Sequence, residues 1–155
     1  MTSRGGARRD HGLVWVAMVE PTYLSAKGAA RANREFYRAF EARDMAAMSA
    51  LWLDDPAVKC IHPGAEVLAG REAVLESWRA LFASTDEIRF ELKDPAIEVV
   101  GDLAWVTLVE CVRSTSAGET FTAEAAATNL FVLRSGAWRL MLHHASPIAR
   151  RFKRG

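Results

Sequence analysis

Nowhere in the 155 residues does an apolar run approach the roughly 18–20 residues that a membrane-spanning helix requires. Cysteine is scarce: Cys60 and Cys111 are the two present, neither at a metal-ligand spacing. Each sits in an apolar, strand-like run where a free buried thiol is the default. That usage suits a reducing compartment, and a cytoplasmic protein is the expectation. The four histidines include no i, i+4 pair that a helix would bring to one face, so no metal site is expected. No segment repeats and no composition break marks a second domain. An excess of one charge is also missing, since the net charge is only +1. Residues 1–12 carry +2 and residues 149–155 carry +4, leaving −5 on the body between them. An acidic body argues against a general nucleic-acid-binding surface. The run Arg150, Arg151, Lys153 and Arg154 is then the one candidate for contact with an acidic partner, against the plainer reading of a solvated terminus.

What is present is ordinary for one globular domain: half the residues are apolar and a quarter charged. The start imitates a signal peptide, with Arg4, Arg8 and Arg9 followed by the apolar run Leu13–Val19. Glu20-Pro21 stands where a small-residue cleavage site would be needed, so export is not expected. Residues 1–24 read as a flexible extension, or the true start lies at Met18. Residues 25–148 form the domain, and 149–155 a basic tail.

Helical spacing covers residues 25–43, with Phe36, Tyr37 and Phe40 on one stripe. Asp44 can cap a second helix carrying Met45, Met48, Leu51 and Trp52. A short strand, Val58 to His62, runs into the turn Pro63-Gly64. A third helix, Arg71 to Ala83, presents Val74, Leu75, Trp78, Leu81 and Phe82. The period then falls from 3.6 to 2. Ile88, Phe90 and Leu92 alternate with charges, Pro95 interrupts, and strands continue through Leu103–Arg113 to a hairpin at Ser114–Gly118. The order ααβαββββ indicates an α+β fold with an antiparallel sheet on helices.

The strongest feature is the hairpin within Ala123–Pro147, which turns at Arg134-Ser135-Gly136-Ala137. A two-residue loop pairs Leu133 with Trp138 and puts Asn129 on the face of His144. A three-residue loop pairs Leu133 with Ala137 and puts Asn129 with His143. Every side chain changes face between the two. The three-residue loop is preferred, because Gly136 then takes the left-handed position and Ser135 is poorly suited to it.

Three segments, FYRAFEARDMAAMSALW at 36–52, CIHPGAEVLAGREAVLESWRALF at 60–82 and ATNLFVLRSGAWRLMLHHASP at 127–147, carry a resemblance. The chain resembles the nuclear transport factor 2-like superfamily, in particular its SnoaL-like subgroup. The last segment also resembles the hairpin of the calcium/calmodulin-dependent kinase association domain. The resemblance implies a cone-shaped, cystatin-like α+β barrel, a curved mixed or antiparallel sheet wrapped on three N-terminal helices. It also implies an apolar cavity at the cone's open end and a homodimer through the other sheet face. Ala65 stands where relatives often carry an aromatic, which implies a more open rim.

With the three-residue turn, Asn129, Phe131, Met141 and His143 face the cavity, with space beneath Ala123, Ala125 and Ala127. Leu130, Val132, Trp138, Leu140 and Leu142 take the outer, dimer-forming face. The resemblance adds Trp105, Thr107, Val109 and Cys111 to the inner side. The expected ligand pocket is therefore Trp52, His62, Trp78, Trp105, Asn129 and His143. Each has a structural alternative: packing for the tryptophans, a satisfied amide for Asn129, a core or turn hydrogen bond for the histidines. Ketosteroid isomerases use a carboxylate base and enolate-oxygen donors. The expected inner face carries no Asp or Glu, and Glu110 falls outside, paired with a basic group at an interface. His62 and His143 are then the best catalytic candidates, with Tyr37 as a possible oxyanion donor. No cofactor is implied. The leading expectation is a protein that binds a small apolar or aromatic molecule and acts as an isomerase, cyclase or dehydratase. The alternative is a non-catalytic binding or homo-oligomeric assembly module.

Overall fold

The computed structural model describes the backbone of residues 16–149 and side chains from Ser25 onward. The expected extension as far as residue 15 and the basic tail from Arg150 lie outside the described residues. Helix α1 (Val16–Ala42) starts earlier than the spacing indicates; among its described side chains the buried stripe begins at Ala29. Ala29, Ala32, Asn33, Phe36, Tyr37 and Phe40 recur at three and four residues and are all buried. Arg43 ends the helix at φ 53°, and Asp44 caps α2 (Met45–Leu51), accepting from the Ala47 N–H at 2.9 Å. Then come β1 (Lys59–Ile61), β2 (Leu68–Ala69) and α3 (Arg71–Ser84), which buries Val74, Leu75, Trp78 and Phe82. No helix among the described residues is long and apolar enough to cross a membrane.

Four long strands follow: β3 (Glu87–Val100), β4 (Leu103–Ser116), β5 (Glu119–Arg134) and β6 (Ala137–Pro147). Pro95 does not break β3; a bulge absorbs it, with Asp94 at φ 52° and the register jumping from Lys93 to Ala96. The six-stranded sheet has the order β2-β1-β6-β5-β4-β3. It is mixed, because β1 runs parallel to β6, with Cys60 opposite His143. Gly28 sets how closely α1 approaches the sheet, since a Cβ there would stand 2.8 Å from the Trp138 ring. Helices on one side and a curved sheet on the other give the expected cone.

The last hairpin corrects the expected turn. Leu133 pairs with Trp138 and Arg134 with Ala137, so the loop has two residues, Ser135 at φ 51° and Gly136 at φ 75°. Two consecutive positive φ values are the type I′ geometry that matches strand twist, and that match outweighs the strain at Ser135. Trp138 and Leu140 therefore point inward beside Phe131, while Leu130, Val132 and Leu142 take the other face. A bulge at Met141 then shifts the register, so that Leu130 pairs with Leu142 and Asn129 with His143. Asn129 and His143 thus share the inner face as expected, but because of the bulge and not because of the turn.

Candidate functional site

The inner face of the sheet is filled at one end and hollow at the other. At the filled end Phe36, Trp78, Phe131 and Leu140 are fully buried. Toward the far ends of β3, β4 and β5 a cavity of about 620 Å³ opens against α3 and the end of α1. Phe40, Leu81, Ile88, Phe90 and Val112 give it apolar walls, and His62, Ser77, Glu110, Ser114 and His143 supply polar groups. A mostly apolar hollow with few converging polar groups is the usual form of a small-molecule site.

Register places Glu110 there. It pairs with Ala125 across β4 and β5, two positions along from Leu108 and four from Val106, and all three are buried on the same side. The expected outward position for Glu110 was one residue out of phase. Trp105, Thr107, Val109 and Cys111 take the opposite face, so Trp105 leaves the expected pocket.

A buried polar chain runs from the carboxylate to the imidazole. The Tyr37 hydroxyl donates to Glu110 Oε1 at 2.7 Å. Asn129 Nδ2 donates to Tyr37 Oη at 3.2 Å and to Asn33 Oδ1 at 2.8 Å. The Asn129 amide oxygen is then its remaining acceptor, and His143 Nδ1 lies 2.6 Å from it. His143 must therefore carry its proton on Nδ1, leaving Nε2 bare. His62 is fixed in the opposite sense. Ser77 donates its hydroxyl hydrogen to the Val74 carbonyl at 2.7 Å, so His62 Nε2, 3.0 Å away, donates to Ser77 Oγ. The two imidazoles lie 6.5 Å apart, centroid to centroid, with the Trp78 ring 4.8 Å from His62.

Burial decides the charges. It pushes His143 down to about 3, with His62 and His144 adding to the effect, and lowers His62 as well. Both rings are neutral near pH 7. Burial raises the Glu110 carboxyl, and the Tyr37 hydrogen bond only partly opposes it. Tyr37 is raised by burial and then by the Glu110 charge, so it remains a hydrogen-bond donor. Burial, then Glu110, also pushes Cys60 up to about 12, which leaves an inert thiol. Among the described residues no cluster of three or more His, Cys, Asp or Glu is placed to hold a metal ion.

A family model described as the SnoaL-like domain matches residues 30–150, most of the chain. The chain belongs to the SnoaL-like family. Among solved structures, this SnoaL-like chain is 37% identical to a candidate dehydratase of the nuclear transport factor 2-like family from Streptomyces avermitilis. That likeness covers 83% of this chain and 99% of the other, with a TM-score of 0.78. It is 36% identical to a candidate calcium/calmodulin-dependent protein kinase type II association domain from Thiobacillus denitrificans, over 76% and 93% of the two chains, at a TM-score of 0.66. It is also 29% identical to the F-box protein SKIP8 of Arabidopsis thaliana over 80% of its own length. The SnoaL-like chain spans about half, 51%, of that relative.

Of the residues expected to form the site, His62 and His143 border the cavity. Asn129, Trp52 and Trp78 do not; they are buried behind it, with Asn129 holding His143 and Trp78 packing edge-on to Phe36 and Phe40. Ala123 borders the space, whereas Ala125 and Ala127 are buried under neighbouring groups. His144 faces outward and is exposed. Glu110 is the group that residue spacing missed. The alternation Ala104, Val106, Leu108, Glu110 was legible as a signal, but the phase of that strand came from the resemblance instead.

Proposed function

We propose that this SnoaL-like protein binds a small, mostly apolar molecule in the cavity and moves a proton on it without a cofactor, as a dehydratase or isomerase. The observation that carries this reading is Glu110, a carboxyl raised by burial, bordering an apolar hollow and oriented by Tyr37. A carboxyl moved toward neutral pH exchanges protons more effectively in both directions than an ordinary one. His143, lowered to about 3, is too weak a base for that task and acts as a neutral acceptor that orients the ligand. In a dehydration, Glu110 takes a proton from carbon and the C–H electron pair becomes the new double bond. The C–O pair leaves with oxygen, which recovers the proton from Glu110 and departs as water. The likeness to a candidate dehydratase supports the same reading.

Incubation with 3-hydroxy-1-tetralone, a neutral hydroxy ketone that aromatises to 1-naphthol on losing water, tests it by naphthol fluorescence. Wild-type protein accelerates the loss, and Glu110→Gln reduces that acceleration by about 10²–10⁴-fold. Equal rates for the two proteins would defeat the assignment. Two copies are proposed to pair through the outer sheet face, where Leu103 is exposed and Trp105 half-buried. Light scattering that shows only monomer would remove that part. The second reading, an assembly module, draws on the likeness to the Thiobacillus denitrificans association domain. It predicts dimers or larger rings that are indifferent to Glu110→Gln.

A further inference from the structure

The donors and acceptors around the cavity are unevenly distributed. Side-chain donors that border it are already engaged within the protein. His62 Nε2–H goes to Ser77, the Ser77 hydroxyl to Val74 O, and the Ser84 and Thr85 hydroxyls both to Leu81 O. The Ser116 hydroxyl is taken by Ser84 O and His143 Nδ1–H by Asn129. Among the described residues that border the space, only the Ser114 hydroxyl is without such an engagement, and none is Lys or Arg. Acceptors are different. Glu110 keeps Oε2, and each imidazole keeps one unprotonated nitrogen.

From this imbalance, and resting on the ligand site proposed above, we propose that the cavity selects a neutral molecule bearing hydroxyl donors, a phenol or alcohol on an apolar ring, and rejects anions. A carboxylate or phosphate would meet a buried carboxylate and no cation to offset it. A ligand offering only acceptors would leave Glu110 Oε2 and the ring nitrogens desolvated and unpaired. A hydroxyl donor meets these lone pairs directly. A protonated amine is also a donor, but only one of the three acceptor groups is anionic. The two neutral imidazoles give its N–H groups lone pairs but no counter-charge, and a hydroxyl forfeits far less water than an ammonium does.

Four naphthalenes of one shape separate the cases by calorimetry: 2-naphthol, 2-methoxynaphthalene, 2-naphthoate and 2-naphthylmethylammonium, each against wild type and Ala123→Phe. The expected result is 2-naphthol binding about 10- to 100-fold more tightly than 2-methoxynaphthalene, with no binding of 2-naphthoate. Ala123→Phe, which fills the hollow, abolishes the 2-naphthol signal. Equal binding of 2-naphthol and its methyl ether, both blocked by Ala123→Phe, overturns the donor preference while leaving the ligand site standing. Tightest binding by the ammonium or naphthoate probe overturns it likewise. Binding of no probe, or binding that survives Ala123→Phe, overturns both the preference and the site.

Discussion

The two ends of strand β5 face the same helices and differ in what they carry inward. Toward the last turn, Phe131 and Asn129 lie against Ala104, Val106 and Leu140, all with 0% exposure. Toward the Ala117-Gly118 turn, the inward positions are Phe121 and Ala123, and both are exposed. The first end is a packed interior that stabilises the fold. The second is walled by long strands, but the small Ala123, Ser114 and Ser116 leave room for another molecule. Asn129 and His143 stand at the boundary, and the hydrogen-bonded chain through Tyr37 links the packed end to the carboxyl in the hollow. At the boundary Asn33, Tyr37, Asn129 and His143 satisfy one another, although the indole N–H groups of Trp52 and Trp78 are buried without a partner; the polar groups in the hollow keep unused lone pairs.

Substitutions at the packed end should have the largest effect on stability. Phe36 contacts the rings of Tyr37, Phe40, Trp78 and His143, and Phe36→Ala should cost about 3–5 kcal/mol in urea unfolding. A loss below about 1 kcal/mol would mean that this end is not packed as described. The next effect is acid sensitivity. His143 takes its proton near pH 6.5 when unfolded but only near 3 when folded. Its contribution is therefore complete above pH 6.5 and is lost as the pH falls toward about 3, by several kcal/mol. Glu110, raised on folding, runs the other way and softens the fall. His143→Gln should flatten the acid limb of stability against pH; an unchanged slope would place the titration elsewhere.

In the hollow, the same kind of bulk change should barely register on folding. Ala123→Phe should alter stability by less than about 1 kcal/mol, because the ring enters open space and not a close-packed core. A loss of 3 kcal/mol or so would show that the hollow closes in solution. The smallest effect belongs to the turn that joins β5 to β6. Ser135→Asn, better suited to φ 51°, should stabilise by less than about 1 kcal/mol. Destabilisation would argue against the two-residue loop.

Much of the fold was readable from periodicity, since the stripe of α1, the Asp44 cap and the strand alternation report burial directly. The turn was not. Ser135 argued against a left-handed residue, but strand twist is a property of the pair of strands and is invisible in a four-residue window. Met141 was unreadable for the same reason: a bulge shows only in the partner's register. Two errors of phase, the turn and the bulge, cancelled for Asn129 and His143 but not for Trp138 and Leu140. At the site, the two histidines and the small Ala123 were recognisable. Glu110 was misplaced because the resemblance, and not the strand's own alternation, put Trp105 and Cys111 inside, and its partner Tyr37 lies 73 positions away.

The account depends most on a carboxyl that is buried at the edge of a hollow and restrained by one phenol. Carbon-13 NMR titration of the Glu110 side-chain carboxyl, in wild type and in Tyr37→Phe, addresses it directly. The wild-type carboxyl should titrate above the usual 4.5, and removing the Tyr37 hydrogen bond should raise it further. A carboxyl that titrates at its ordinary value and is unmoved by Tyr37→Phe would place Glu110 in water and contradict the site.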